Sequence, residues 1–211
     1  MDLPEPLPGP AYRIRTKRLV IRCWQPADAT LLHIALLRNA DHLYPWMAWI
    51  KGEPLELQRR IDLLRVWRGN FDHDLNFEYG IFSQDEKLLL GAAGLHTYLG
   101  EEVRGIGYWI DKDHNLQGFA TETSAAFTKV AFEVGHVTRV EIHCDPKNLA
   151  SAAVPRKLGF THEATLHNRI EDADGKLHDS MIWTLFREDY PHSPAAKTQI
   201  EAFDVVGRKL I

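Results

Sequence analysis

Between Arg104 and Phe160 the chain sets out residues able to hold an anion and to move protons. A strand-like run, Arg104 to Asp111, leads into a glycine turn, Asn115-Leu116-Gln117-Gly118-Phe119-Ala120-Thr121, and then into a stretch of helical pattern. A helix opening at Gly118 leaves its first N–H groups without intrahelical partners and puts the positive end of its dipole there. The turn amides of Gly118, Phe119, Ala120 and Thr121 can therefore face an anion such as a pyrophosphate, and Gly118 permits close approach. A glycine turn before a helix also serves simply to cap or connect elements. Farther on, the alternating strand Thr138 to Asp145 precedes Asn148-Leu149-Ala150-Ser151, in which Asn148 reads as the cap of a short helix and Ser151 as a first-turn hydroxyl.

Periodicity gives the elements that must carry these groups. Leu19, Ile21 and Cys23 alternate with Val20, Arg22 and Trp24 in a first strand, and Pro26-Ala27-Asp28 starts a helix with Leu31, Ile34, Ala35 and Arg38 at helical spacing. A second helix after Pro54 has Leu57, Ile61, Leu64 and Trp67 or Arg68 on one stripe, stopping at Gly69-Asn70. Phe77, Tyr79 and Ile81 form one face of a strand, and Ser83 to Lys87 turns it into an antiparallel partner, Leu88 to Leu95. The central helix carries Ala120, Phe127, Val130, Ala131 and Val134 to one side and ends at Gly135. Asp172-Ala173-Asp174-Gly175 is a hairpin turn between His162 to Glu171 and Leu177 to Arg187. This order predicts an α/β fold with a mixed sheet of six or seven strands and helices on both faces. Beyond Tyr190, Pro191 and Pro194 break the pattern, and Ala196, Ile200, Phe203, Val206 and Leu210 predict a final amphipathic helix. Its stripe packs either on its own domain or on a second copy of the chain in a homodimer.

Composition narrows the partners. A chain of 211 residues is most simply one domain. With 25 Lys plus Arg against 29 Asp plus Glu, the net charge of −4 argues against nucleic acid as a partner. The two cysteines, Cys23 and Cys144, both sit in strand patterns and read as buried thiols of a reducing compartment; Cys144 is weighed as a nucleophile and set aside because it alternates with Val140 and Ile142 on an apolar face. The start of the chain lacks a signal-peptide pattern, and no apolar run approaches the ~20 residues of a membrane span, so a cytoplasmic protein without membrane partners is expected. No Cys-x-x-Cys, His-Glu-x-x-His or Gly-x-Ser-x-Gly occurs, so neither a metal site nor a serine hydrolase is expected.

With Asn115-x-x-Gly118-x-Ala120 followed by Asn148, Ser151, Lys157, Gly159 and Phe160, the chain resembles the GNAT superfamily of acyl-CoA-dependent N-acyltransferases. Arg18-Leu19-Val20-Ile21-Arg22 and His42-Leu43-Tyr44-Pro45-Trp46-Met47 are similar to its RimJ/RimL-like subgroup, which acetylates protein N-termini. The resemblance implies a GNAT fold: a central mixed, mostly antiparallel sheet splayed between the fourth and fifth strands, with helices on both faces. It covers residues 12–190 as the acyltransferase domain, while the proline-rich residues 1–11 read as an extended arm and 191–211 as a C-terminal helical extension. Two departures stand out: Asn115 replaces the family's Gln or Arg, and Pro155 stands where many members carry a tyrosine that protonates the leaving thiolate.

Acyl transfer from a thioester to an amine needs a held carrier, a polarised carbonyl, a deprotonated amine and a proton for the sulfur. The resemblance implies acetyl-CoA, or another acyl-CoA, held by Asn115, Gln117, Gly118, Phe119, Ala120, Thr121, Asn148 and Ser151, with its pantetheine arm pairing to Ile106, Gly107 and Tyr108. It implies Ser151, or a water held by it, as general acid and Glu171, ahead of the His178-Asp179 pair, as general base. The 11 histidines include rivals for that role in His96, His143 and His178. At neutral pH an α-amine with a pKa near ~8 is about one-tenth free base, whereas a lysine near ~10.4 is free only a few parts in ten thousand. The expected acceptor is accordingly a protein N-terminal amine, such as that of a ribosomal protein, or a small primary amine, with Tyr44, Trp46 and Trp49 available to line its pocket. Direct attack in a ternary complex is expected, for want of an activated nucleophile. The alternatives are a larger acyl group such as succinyl, and a CoA-binding sensor without turnover.

Overall fold

The structure is a computed structural model and describes residues 10–211, so the arm expected at the N-terminus lies outside the described residues up to position 9. Strands β1 (Arg13–Arg15), β2 (Leu19–Cys23), β3 (Phe77–Ser83), β4 (Leu89–His96), β5 (Val103–Ile110), β6 (Arg139–Cys144), β7 (Thr161–Glu171), β8 (Leu177–Phe186) and β9 (Glu201–Phe203) form one nine-stranded sheet ordered β7-β8-β6-β5-β4-β3-β2-β1-β9. Every neighbouring pair is antiparallel except β5 and β6. That parallel pair is joined through α3 (Phe119–Glu133), because parallel neighbours need a crossover. Its register runs only from Val103 opposite Arg139 to Gly105 opposite Glu141, after which the strands part. This is the expected splay, between the strands the sequence gives as fourth and fifth.

Strand alternation divides the interior. Leu19, Ile21, Tyr79, Ile81 and Ile106 join a core with α3 and α4 (Leu149–Leu158), whereas Val20, Trp24, Phe82 and Trp109 join a second core with α1 (Ala29–Leu43) and Leu64 of α2 (Leu57–Asp72). Helices thus cover both faces, and β2 to β5 bury alternate residues on opposite sides, whereas β7 is largely exposed. No helix among the described residues is long and apolar enough to cross a membrane.

Two expectations need correction. The sheet has nine strands rather than six or seven, because β1 and β9 are only three residues long, too short for alternation to reveal them. The final amphipathic helix does not form. Short 3₁₀ turns at Tyr190–His192 and Ala195–Lys197 lead into β9, which pairs with β1, and the chain folds back so that Ala202 N–H donates to the Ile211 carbonyl at 3.1 Å. Asp204 and Gly207, the latter at a φ of 81°, make the turn; Ala195 and Ala202, neither on the expected stripe, are buried, whereas Val206 of the stripe is exposed. Spacing by threes and fours in a short segment did not separate a helix from turns and a strand.

Phe127, fully buried on α3 with its ring 4.8 Å from that of Tyr79, joins the central helix to the sheet. Phe127→Ala is expected to cost about 3–5 kcal/mol, read as a lower urea midpoint with an unchanged slope.

Candidate active site

Gly118 caps α3 with a φ of 83°, a left-handed conformation that a side chain would resist, so the helix mouth opens directly onto a groove. The groove, about 520 Å³, is lined by Asn115, Gly118, Phe119, Ala120 and Thr121 at one end and by Asn148, Ser151 and Tyr108 at the other. Lys147 and Lys157 also face it, so cations and helix amides gather there on a chain of net negative charge. Asn115 donates from Nδ2 to Nε2 of His42 at 3.0 Å, which ties the loop to α1. Gln117 does not line this groove; its carbonyl accepts a hydrogen bond from Arg18 at 2.9 Å, and Arg18 also lies 4.6 Å over the Phe119 ring and pairs with Glu122. Sequence reasoning quoted Arg18 as part of a motif but missed it as a brace of the loop.

The strand-to-loop turn is pinned by Asp111, which is fully buried. Its Oδ2 accepts from Asn39 Nδ2 at 2.7 Å and from Arg38, and its Oδ1 accepts from the Asp113 N–H and is bonded to His114, both at 3.1 Å; Asn39 Oδ1 in turn accepts from the Lys112 N–H at 2.7 Å. Burial pushes the carboxyl up, but the bonds from Asn39, Arg38, His114 and the Asp113 amide outweigh it and hold the pKa at about 2.

Ser151 sits in the first turn of α4, where Asn148 Oδ1 accepts its N–H at 3.0 Å, as capping predicts. The Tyr108 hydroxyl lies 3.1 Å from Ser151 Oγ and 3.2 Å from the Ser151 carbonyl. Burial raises the phenol well above its ordinary range, partly offset by the bond to Ser151, so Tyr108 keeps its proton. Burial likewise raises the Cys144 thiol, which leaves it an inert neighbour rather than a thiolate.

A second groove of about 590 Å³ meets the first at Trp46, Met47, Tyr108, Asn148 and Ser151, and reaches Ile106, Gly107, Arg169, Ile170, Asp172 and His178. His178 is bracketed, with Nδ1 2.5 Å from Asp145 Oδ2 and Nε2 2.9 Å from Asp172 Oδ2, so both ring nitrogens are engaged by carboxylates. His143 Nε2 is engaged by Glu141 at 2.7 Å. Glu171 lines neither groove; it is exposed, with Oε1 3.6 Å from where a Cβ on Gly175 would lie. Its neighbour Asp172 faces the groove instead. Tyr44 lines neither groove and donates to Asp174 Oδ1 at 2.6 Å, linking α1 to the β7–β8 turn. Trp46 lines the junction of the grooves, and Trp49 a third cavity beside it.

The family model described as an acetyltransferase (GNAT) domain matches residues 18–161. The chain is 27% identical over 176 residues to a putative ribosomal N-acetyltransferase, YdaF, of Bacillus subtilis, covering 82% of this chain and 94% of the relative. It is 25% identical over 187 residues to the [ribosomal protein uS5]-alanine N-acetyltransferase of Escherichia coli, covering 86% and 94%. Among solved structures, RimL, a ribosomal L7/L12 α-N-protein acetyltransferase in complex with coenzyme A, superposes with a TM-score of 0.73 at 21% identity, covering 81% of this chain and 95% of that one.

Asp111→Ala is expected to leave the Asn39 amide and the Arg38 guanidinium without their partner and to cost about 3 kcal/mol, at the low end for a broken buried pair because Arg38 is 44% exposed. Because the folded pKa lies below the unfolded value of ~3.9, this stability is complete above that value and is lost as pH falls through about 2. Urea titrations should accordingly show the gap between wild type and variant narrowing from pH 6 to pH 3.

Proposed function

The chain belongs to the GNAT acetyltransferase family, and on that premise we propose that it moves an acetyl group from acetyl-CoA to a primary amine, foremost the α-amine of a protein N-terminus, by direct attack in a ternary complex. The observation that carries this reading is the meeting of two grooves at the Tyr108–Ser151 pair: one begins at a helix mouth suited to a diphosphate, and the other is free for an acceptor. The relatives named for acetylating ribosomal proteins support a ribosomal N-terminus as acceptor, and such a substrate together with acetyl-CoA supports a reaction in the cytoplasm.

Each residue has a task in this reading. The amides of Phe119, Ala120 and Thr121, with Lys147 and Lys157, hold the diphosphate end. The backbone groups that β5 exposes from Ile106 to Tyr108, past its last pairing with β6, take the pantetheine arm and polarise the thioester carbonyl. Ser151 supplies a proton to the departing sulfur, and the Tyr108 phenol orients that hydroxyl from a position that Pro155 cannot serve. A larger acidic acyl group, succinyl, is the second reading, favoured by Arg169 in the wall of the second groove.

Free-thiol release with acetyl-CoA or succinyl-CoA and peptides beginning with Ser or Ala tests both readings. Acetyl-CoA is expected to be the better donor, and an absence of turnover with every amine leaves only a CoA-binding role. Gly118→Glu places a carboxylate at the helix mouth and is expected to abolish binding of acetyl-CoA in calorimetry. Ser151→Ala is expected to lower kcat roughly tenfold to a hundredfold at unchanged acetyl-CoA affinity.

A further inference from the structure

The third cavity, about 530 Å³, lies between the sheet and helices α1 and α2 and shares Met47, Gly107 and Tyr108 with the acceptor groove. Its walls are mostly apolar; among the described residues the charged or titratable groups facing it are the Glu53–Arg60 ion pair, Glu78 of β3, Tyr108 of β5 and His96 at the end of β4. The His96 ring is seated by two glycines. Gly94 and Gly107 stand opposite each other on β4 and β5, and a Cβ added at Gly94 would fall 2.2 Å from the His96 ring, one at Gly107 3.1 Å from its Nε2. The imidazole fills a slot that a side chain at Gly94 would close and one at Gly107 would tighten.

Its tautomer follows from its partners. Asn76 donates from Nδ2 to Glu78 Oε1 at 3.0 Å, so the Asn76 amide oxygen, 3.2 Å from His96 Nδ1, is an acceptor. Assigned from this network, Nδ1 carries the proton and Nε2 carries the lone pair, on the side of Gly107, a residue that the third cavity shares with the acceptor groove. The Glu78 carboxylate lies 3.7 Å from Nδ1, within reach of any positive charge the ring acquires. Tyr98 packs against the ring at 5.6 Å between centroids.

We propose that His96, oriented by Asn76 and Glu78, is the catalytic residue that takes the proton from the acceptor amine. This assignment rests on the acyl-transfer reading above. Burial lowers the His96 pKa below its ordinary value, so the ring is a neutral acceptor at neutral pH, and burial raises that of Glu78 to about 7, only partly offset by the bond from Asn76. The two histidines that line the acceptor groove are occupied: His178 by two aspartates and His143 by Glu141. In balance, the ammonium of the acceptor loses two protons as its nitrogen forms the C–N bond and the C–S bond breaks with its electron pair on sulfur. His96 Nε2 takes one proton and passes it to solvent. The other reaches sulfur by way of the Ser151 hydroxyl, which gives up its own proton and regains one from the nitrogen.

The test is kcat against pH at saturating acetyl-CoA and saturating Ser- or Ala-starting peptide, beside calorimetry with acetyl-CoA and a melting curve for each variant. Wild type is expected to show an acid limb of tenfold per pH unit. His96→Gln should lower kcat about a hundredfold and abolish that limb, with acetyl-CoA affinity unchanged. Asn76→Ala, which frees the tautomer but keeps the imidazole, should lower kcat about tenfold, and His143→Gln should retain the limb. A His96→Gln enzyme that keeps the acid limb, or a limb that vanishes only in His143→Gln, overturns the assignment while leaving the transferase reading intact. Wild type that binds acetyl-CoA yet releases no thiol with any amine overturns both.

Discussion

The parting of β5 from β6 is the constraint on which the site depends. A strand in mid-sheet ordinarily spends both rows of its backbone groups on neighbours, but β5 pairs with β6 for only three residues while its other edge stays paired to β4 as far as Ile110. From Ile106 onward one row of N–H and C=O groups faces a gap. The gap is held open from the far end, because Asp111, the next residue after the strand, is fixed to α1 through Arg38 and Asn39. The mouth of α3 and the first turn of α4 both face the opening, which brings Gly118, Ser151 and Tyr108 to a single groove.

Much of this was legible in the sequence because it rests on local chemistry. The glycine at 118 and the asparagine at 148 announce helix starts through capping, and alternation at Leu19 to Trp24 announces which side chains fall on which face. What stayed hidden needs partners far away in the chain. Asp111 meets Asn39 across 72 residues and Tyr108 meets Ser151 across 43, and no local pattern records either contact. The face of residues near the β7–β8 turn was hidden for another reason. The register of β7 shifts between Leu166 and Ile170, where Asn168 has a φ of 53°, so counting by twos along the strand misassigns its end. The groove accordingly receives Ile170 and Asp172 rather than Glu171.

Charge is distributed unequally between the two grooves, and the second also holds Arg169. Lys147, Lys157 and the helix amides gather at one groove, and Asp145 and Asp172 enter the other. The two aspartates also clamp His178, and Tyr44 reaches across to Asp174, so the β7–β8 hairpin is tied both to the sheet and to α1. The second groove is thereby walled by elements distant in sequence but cross-linked at its rim, which favours a preformed site over one assembled by its ligands.

The facing glycines at 94 and 107 also bear on how such a gene can drift. Glycine and alanine codons differ by one base, and a single methyl would displace the imidazole at Gly94 and crowd it at Gly107. The same methyl would suit the strand itself better, since glycine is a poor occupant of a sheet interior. Selection for a sturdier molecule and selection for a faster one therefore pull these two codons in opposite directions, and a lineage released from the second pressure has a short mutational path to a well-folded protein with an idle groove.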